Sequence, residues 1–297
     1  MSSTKHVDLS AGRVSYRDVG DGPTLVFLHG LLVNGQLWRK VTASLQSDYR
    51  CIAPDLPLGS HTIPLSPNAD VSPPALARLI VELVEKLDLD DVTLVANDTG
   101  GALTQIVMTQ PGNERIGRVV LTSCDAFDNF LPQMFKGLQI AARVPALLTL
   151  LIQPLRLRAL RRLPIGFGWL TKRPIDPPEV EETYIRPAFT RREIRRDVTR
   201  ILRGIDARYT NEAAERLPQF DRPVLIAWAT EDKVFPVAHA HKLAGLLPDA
   251  RVEEIADSYS FVPEDQPDRL AELIRGFVPA GDGSRSSSSA SAALQEN

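Results

Sequence analysis

Short apolar runs alternate with amphipathic stretches along the first third of the chain. Thr24 to His29, Arg50 to Asp55 and Val92 to Asp98 are nearly continuous apolar runs that end at glycine or at polar residues, the pattern of strands buried on both faces. Between the second and third, Pro73 and Pro74 precede Leu76, Leu79, Ile80, Leu83, Val84 and Leu87, apolar at helical spacing with proline near the helix start. Strand, helix and strand with short joins predict a parallel sheet. Arg118 to Cys124 is a further strand, and the rhythm returns only at Pro223 to Ala229, followed by a last strand at Val252 to Ile255 and a last helix at Asp268 to Phe277. The intervening residues 125–217 are helical in pattern and basic. They carry Pro132, Pro145, Pro154, Pro164, Pro174, Pro177, Pro178 and Pro187, so they are expected to form several short helices broken by turns, a cap over the sheet. The expected division is a core of residues 1–124 and 218–280, a helical cap of 125–217, and a Ser-rich tail of 281–297 that cannot bury apolar surface and is read as disordered.

Composition narrows the class. With 297 residues, 43% hydrophobic and 24% charged, the chain supports a substantial core and excludes fibrous and disordered classes. The longest apolar stretch, Val144 to Ile152, is under half of the roughly 20 residues a spanning helix needs, and Met1 to Ser10 has no apolar signal core. The expectation is a cytoplasmic protein without a membrane partner. Cys51 and Cys124 sit at the edges of buried strands, so neither a disulfide framework nor a cysteine-rich metal site is supported. Net charge is -3, yet residues 156–208 carry 14 Lys or Arg against 7 Asp or Glu. Within that segment the run from Arg191 to Arg196 is interrupted by Glu193 and has no interleaved aromatics, so it reads as a solvated helix and not as a nucleic-acid site. No nucleotide loop, flavin fingerprint or metal-ligand spacing is present, so no cofactor and no metal are expected. The expected partner is a small-molecule substrate; a homodimer is left open.

In an open parallel sheet, ligands gather beyond the carboxyl ends of the strands. There the third run delivers Asp98 onto Thr99, Gly100 and Gly101 at the start of a helix. This is a strand, sharp turn and helix with small residues, the geometry of a nucleophile elbow. Asp98 either faces a cavity above the helix dipole or caps the helix. His29, Gly30 and Leu31 end the first run, and the amides of Leu31 and Thr99 are placed to hold a developing anion, while His29 is a substrate-binding candidate or a structural histidine of the loop. Asp125 and Asp232 follow two other strands and are candidate supporting carboxylates or loop caps. The loop after the last strand, Ala256 to Pro267, contains Ser260 and no histidine.

The order of these features resembles the α/β-hydrolase family from about Val14 to Phe277. The resemblance rests on Phe27 to Gly30, Pro54 to Pro57, the Asp98 elbow, the insertion after Cys124, Glu231 to Pro236, and the closing Glu264 to Pro267. An Asp at the elbow resembles the epoxide-hydrolase and haloalkane-dehalogenase branch, in which the carboxylate displaces a leaving group at carbon and forms an alkyl-enzyme ester. The resemblance implies an α/β-hydrolase fold with a mostly parallel sheet, Asp98 as nucleophile, Leu31 and Thr99 as the oxyanion or halide hole, and Asp232 or Asp125 as the triad acid. Ser260 stands where the family places its histidine, so the general base is missing. Leu31 and Thr99 also replace the Asn and Trp that dehalogenases place there, which disfavours dehalogenation. Tyr184 and Tyr209 are the two tyrosines of the insertion and candidates for the epoxide-activating pair. Three functions are compatible with this pattern: an epoxide-hydrolase-like hydrolase using Asp98, a non-hydrolytic isomerase, cyclase or lyase with Asp98 as general acid or base, and an inactive ligand-binding member. Because cap side chains set the pocket, periodicity cannot name the substrate.

Overall fold

The structure, a computed structural model, describes residues 4–164 and 166–280. The serine-rich tail of 281–297 lies outside the described residues. Eight strands form one sheet: β1 (Lys5–Leu9), β2 (Gly12–Val19), β3 (Thr24–Leu28), β4 (Arg50–Pro54), β5 (Val92–Asp98), β6 (Ile116–Cys124), β7 (Val224–Ala229) and β8 (Ala250–Ile255). Their order is β1-β2-β4-β3-β5-β6-β7-β8, antiparallel through β1, β2 and β4 and parallel from β4 to β8. The expected mostly parallel sheet flanked by helices is present. Strands β5 and β7 are buried along their whole length because both faces are covered, so a nearly continuous apolar run is what they require. The apolar runs do not foresee β1 and β2. In β1 most residues are partly or fully exposed and Lys5 and Asp8 are charged, as suits the edge of a sheet.

The helical insertion lies between β6 and β7 and consists of short segments, as its prolines require. Its longer helices are Pro178–Thr190, Arg192–Gly204 and Ala207–Arg216. The last of these packs against the core helix Thr99–Met108, and Thr210 Oγ1 donates to the Phe127 carbonyl at 2.6 Å. Asp197, wholly buried on helix Arg192–Gly204, ties the insertion to the core loop that follows β4. It accepts the Leu65 amide at 2.9 Å, lies 3.4 Å from His61 Nε2, and takes two bonds from its neighbour Arg196. These bonds hold its carboxyl below the usual range although burial works against them. Asp197→Ala strands the Leu65 amide and is expected to cost about 2–3 kcal/mol in urea unfolding, with amide exchange accelerating first around residues 58–65.

Candidate active site

Asp98 ends β5 at φ +56° and ψ −133°, a conformation that costs an ordinary residue about 1–3 kcal/mol and throws its side chain out over the helix Thr99–Met108. Two glycines let the backbone close around it. A Cβ at Gly30 would sit 2.4 Å from Asp98 Cβ and Cγ, and one at Gly100 would sit 2.5 Å from the Leu28 carbonyl oxygen. Oδ1 of Asp98 accepts the Thr99 amide at 2.5 Å and the Thr99 hydroxyl at 3.0 Å, and the Leu31 amide also faces this carboxylate. The two amides singled out in the sequence therefore converge on Asp98 itself.

Desolvation pushes the Asp98 carboxyl up to about 6, against the pull of the Thr99 and Leu31 donors. Asp125 lies on the far side of Thr99, wholly buried, with Oδ2 3.1 Å from the same hydroxyl and Oδ1 without a partner. A hydroxyl has one proton and cannot donate to both carboxylates. Burial and the neighbouring Asp98 charge push the Asp125 carboxyl well above its ordinary range, and the Thr99 hydroxyl stands between the two carboxylates.

Asp232 follows β7 and is capped by the amides of Val234 and Phe235, at 2.8 and 2.9 Å on Oδ1. Ser260 Oγ donates to the same oxygen at 2.6 Å, while Oδ2, buried beside Ser123, has no hydrogen-bond partner. Asp232 and Ser260 are thus a bonded pair next to Asp98. Asn97, which sequence reasoning passed over, fixes that loop. Its side-chain amide donates to the Ser260 carbonyl at 2.8 Å, to Thr122 Oγ1 at 2.9 Å and to the Ser123 carbonyl at 3.1 Å. The available signal was a polar side chain inside an otherwise apolar strand, which must find partners when buried.

Above Asp98 lies a cavity of about 100 Å³. Leu31, Leu32 and Phe235 of the core line it together with insertion residues such as Leu131, Phe167, Ile185 and Phe189. Asp98 and Tyr184 are the two lining residues with polar side-chain atoms, and no histidine is among them. Tyr184 is buried, its ring centroid is 6.0 Å from that of Phe167, and its hydroxyl has no hydrogen-bond partner.

Tyr209 is not brought to the cavity. It is half-buried, its hydroxyl accepts from Arg208 at 2.6 Å, and its own helix faces the core helix Thr99–Met108 instead. His29 also departs from the substrate-binding expectation. Its Nδ1 donates to the Gly30 carbonyl at 2.8 Å and its Nε2 accepts the Leu56 amide at 2.8 Å, and burial pushes its pKa down to about 4, so it is a neutral structural ring with both nitrogens occupied. His61 is engaged with the Gly59 amide and Asp197, and His241 pairs with Glu254 on the exposed surface. Among the described residues no cluster of His, Cys, Asp and Glu is arranged to hold a metal ion, Cys51 and Cys124 are free and buried, and no helix is long and apolar enough to cross a membrane.

Residues 23–267 match the family model described as alpha/beta hydrolase fold. The chain belongs to the α/β-hydrolase fold family. Within that family it is 30% identical over 301 residues to a cis-3-alkyl-4-alkyloxetan-2-one decarboxylase of Xanthomonas campestris pv. campestris, covering 92% of this chain and 95% of that one. It is 28% identical over 279 residues to haloalkane dehalogenase 2 of Mycobacterium tuberculosis, covering 90% and 92%. Haloalkane dehalogenase DbeA from Bradyrhizobium elkani superposes with a TM-score of 0.75 at 21% identity over 93% of this chain and 97% of that one, a likeness of fold. This hydrolase-fold chain is therefore related to the dehalogenase and epoxide-hydrolase branch, an enzyme lineage acting on small organic molecules.

Proposed function

We propose that Asp98 attacks an electrophilic carbon of an apolar, strained oxygen heterocycle, and that the product leaves by elimination instead of through histidine-activated water. The observation that carries this reading is the cavity: apolar walls, one carboxylate, and no histidine. Oδ1 is held by the Thr99 amide and hydroxyl, so Oδ2 is taken as the attacking atom. Its lone pair bonds the carbon, the ring C–O bond breaks, and the pair stays on the ring oxygen. Asp125, Thr99 and Asp232 position the nucleophile and the loop opposite it.

Substrates then divide by the fate of the ester. An epoxide leaves an alkoxide that needs a proton and an ester that needs water, and water needs a base; Ser260 is a poor one near neutral pH. A 3,4-dialkyl-oxetan-2-one opened at C4 leaves a free carboxylate beside the new ester. Loss of carbon dioxide sends the C–C pair into a C=C bond and expels Asp98 as carboxylate. That route consumes neither water nor a proton, and the identity to the oxetanone decarboxylase supports it.

The test is intact-protein mass spectrometry together with product analysis. A terminal epoxide is expected to add its mass once to the wild type and not to Asp98→Ala, with the adduct persisting, whereas a cis-3,4-dialkyl-oxetan-2-one is expected to turn over to alkene and carbon dioxide without adduct. Sustained diol formation from the epoxide would sink the elimination reading. Absence of both adduct and alkene would point to ligand binding.

A further inference from the structure

Every large hydrophobic side chain that is exposed among the described residues lies between Ile140 and Trp169. Leu150 is 68% exposed, Leu157 63% and Val144 54%. Helix Pro145–Ile152 is apolar on more than one side: Leu148 and Ile152 are buried, while Leu147 and Leu150 stand in water. A helix of that kind belongs inside a protein or against an apolar phase.

The charge around it is one-sided. Residues 129–175 contain eight Lys or Arg and no Asp or Glu; Arg158, Arg161, Lys172 and Arg173 pair with acids of other segments, which leaves Lys136, Arg143, Arg156 and Arg162 as the excess charge. Beside helix Pro145–Ile152, against helix Arg192–Gly204, runs a cleft of about 710 Å³ lined by Arg192, Arg195, Arg196, Arg200 and Arg203, with Glu193 as the acidic residue of the lining. Arg195 donates to the carbonyls of Ala188 and Phe189, Arg200 to that of Ala69, and Arg203 to those of Ala142 and Arg143. Carbonyls satisfy guanidinium N–H groups without cancelling their charge. Arg196 differs in pairing with Asp197.

We propose that the outer face of residues 140–169, together with this arginine cleft, seats the protein on an anionic lipid bilayer, with the apolar side chains and Trp169 at the acyl boundary and the arginines on lipid phosphates. A second copy fits worse, because a two-fold contact would set two arginine clefts against each other with Glu193 as the one acidic residue of each lining. Nucleic acid would meet aliphatic side chains where it needs stacking aromatics. This departs from the expectation of no membrane partner, and it is independent of the chemistry proposed for Asp98. It has one consequence for that site. Leu151 and Ile152 of the same helix line the Asp98 cavity, so a single helix separates the lipid-facing surface from the reaction chamber.

Vesicle flotation tests it, with phosphatidylcholine alone and with added phosphatidylglycerol. Partitioning is expected to rise about tenfold or more with the anionic lipid and to collapse in high salt. Leu147→Glu/Leu150→Glu and Arg158→Glu/Arg192→Glu are each expected to lower it about tenfold, with unchanged circular dichroism; none of these four residues lines the Asp98 cavity. Equal or absent binding to the two vesicle types overturns the proposal. So does self-association in sedimentation that Leu147→Glu/Leu150→Glu abolishes, which would assign the face to a second copy. The lipid and salt dependence of the wild type decides the matter even if a variant fails to fold.

Discussion

Asp98→Asn is expected to be inactive and, at pH 8, more stable than the wild type. Loss of the nucleophile should lower turnover, or the rate of adduct formation, by about ten-thousand-fold. The stability gain follows from the raised carboxyl. Asp98 holds its proton up to about pH 6 in the folded chain, whereas the unfolded chain releases it near 3.8. Between these values the folded state binds more protons, so its stability falls as pH rises, and above about pH 6 the whole penalty is in force. Two pKa units correspond to about 3 kcal/mol. Asn has no such penalty but leaves an amide in an apolar cavity, so a net gain of about 2 kcal/mol is expected at pH 8, vanishing near pH 4. Thermal unfolding across that range checks it; a variant equally stable or less stable at pH 8 would show that Asp98 is not destabilised in the native state. In the proposed mechanism the ionised carboxylate attacks, so the wild-type rate of epoxide adduct formation should rise with pH and half-saturate near 6.

Ser260→His supplies the base that the second half of an epoxide hydrolysis lacks. The substituted ring would stand where Ser260 Oγ now meets Asp232, and the unpartnered Oδ2 of Asp232 is an acceptor ready for its N–H. Ester hydrolysis is expected to accelerate by about a hundredfold, so that the adduct expected with wild type no longer accumulates. The oxetanone reaction, which needs no water, should gain nothing. Ser260 is wholly buried, and the larger ring is expected to cost about 1–3 kcal/mol. Should that prevent folding, Ser260→Gly with added imidazole asks the same question. Imidazole that clears the adduct from the glycine variant and not from wild type supports a missing base. No effect in either variant would place the defect elsewhere.

The strand, turn and small residues around Asp98 mark the position in the sequence, but the local pattern suits a helix cap as well as a cavity-facing carboxylate, and the family resemblance is what favours the second. The sequence also locates Ser260 correctly in the loop that meets Asp232. It is silent where burial decides. Asp125 and Asp232 look alike as loop carboxylates, and only packing makes the first a fully enclosed acid under Thr99 and the second a partner of Ser260. Tyr184 and Tyr209 are equivalent in the sequence, yet helix orientation turns one into cavity wall and the other toward Arg208. The hairpin β1 and β2 escaped because edge strands need little apolar surface. His29 was ambiguous until both ring nitrogens found backbone partners.

Asn97 grips position 260 by its carbonyl and not by its side chain. The loop's place is thereby independent of which residue occupies it. A lineage built this way can lose or regain a proton-transfer group by one replacement, with the nucleophile, its amides and the sheet beneath left in register. Divergence between hydrolytic and non-hydrolytic members would then require no remodelling of the scaffold, only a change of tenant at a single address.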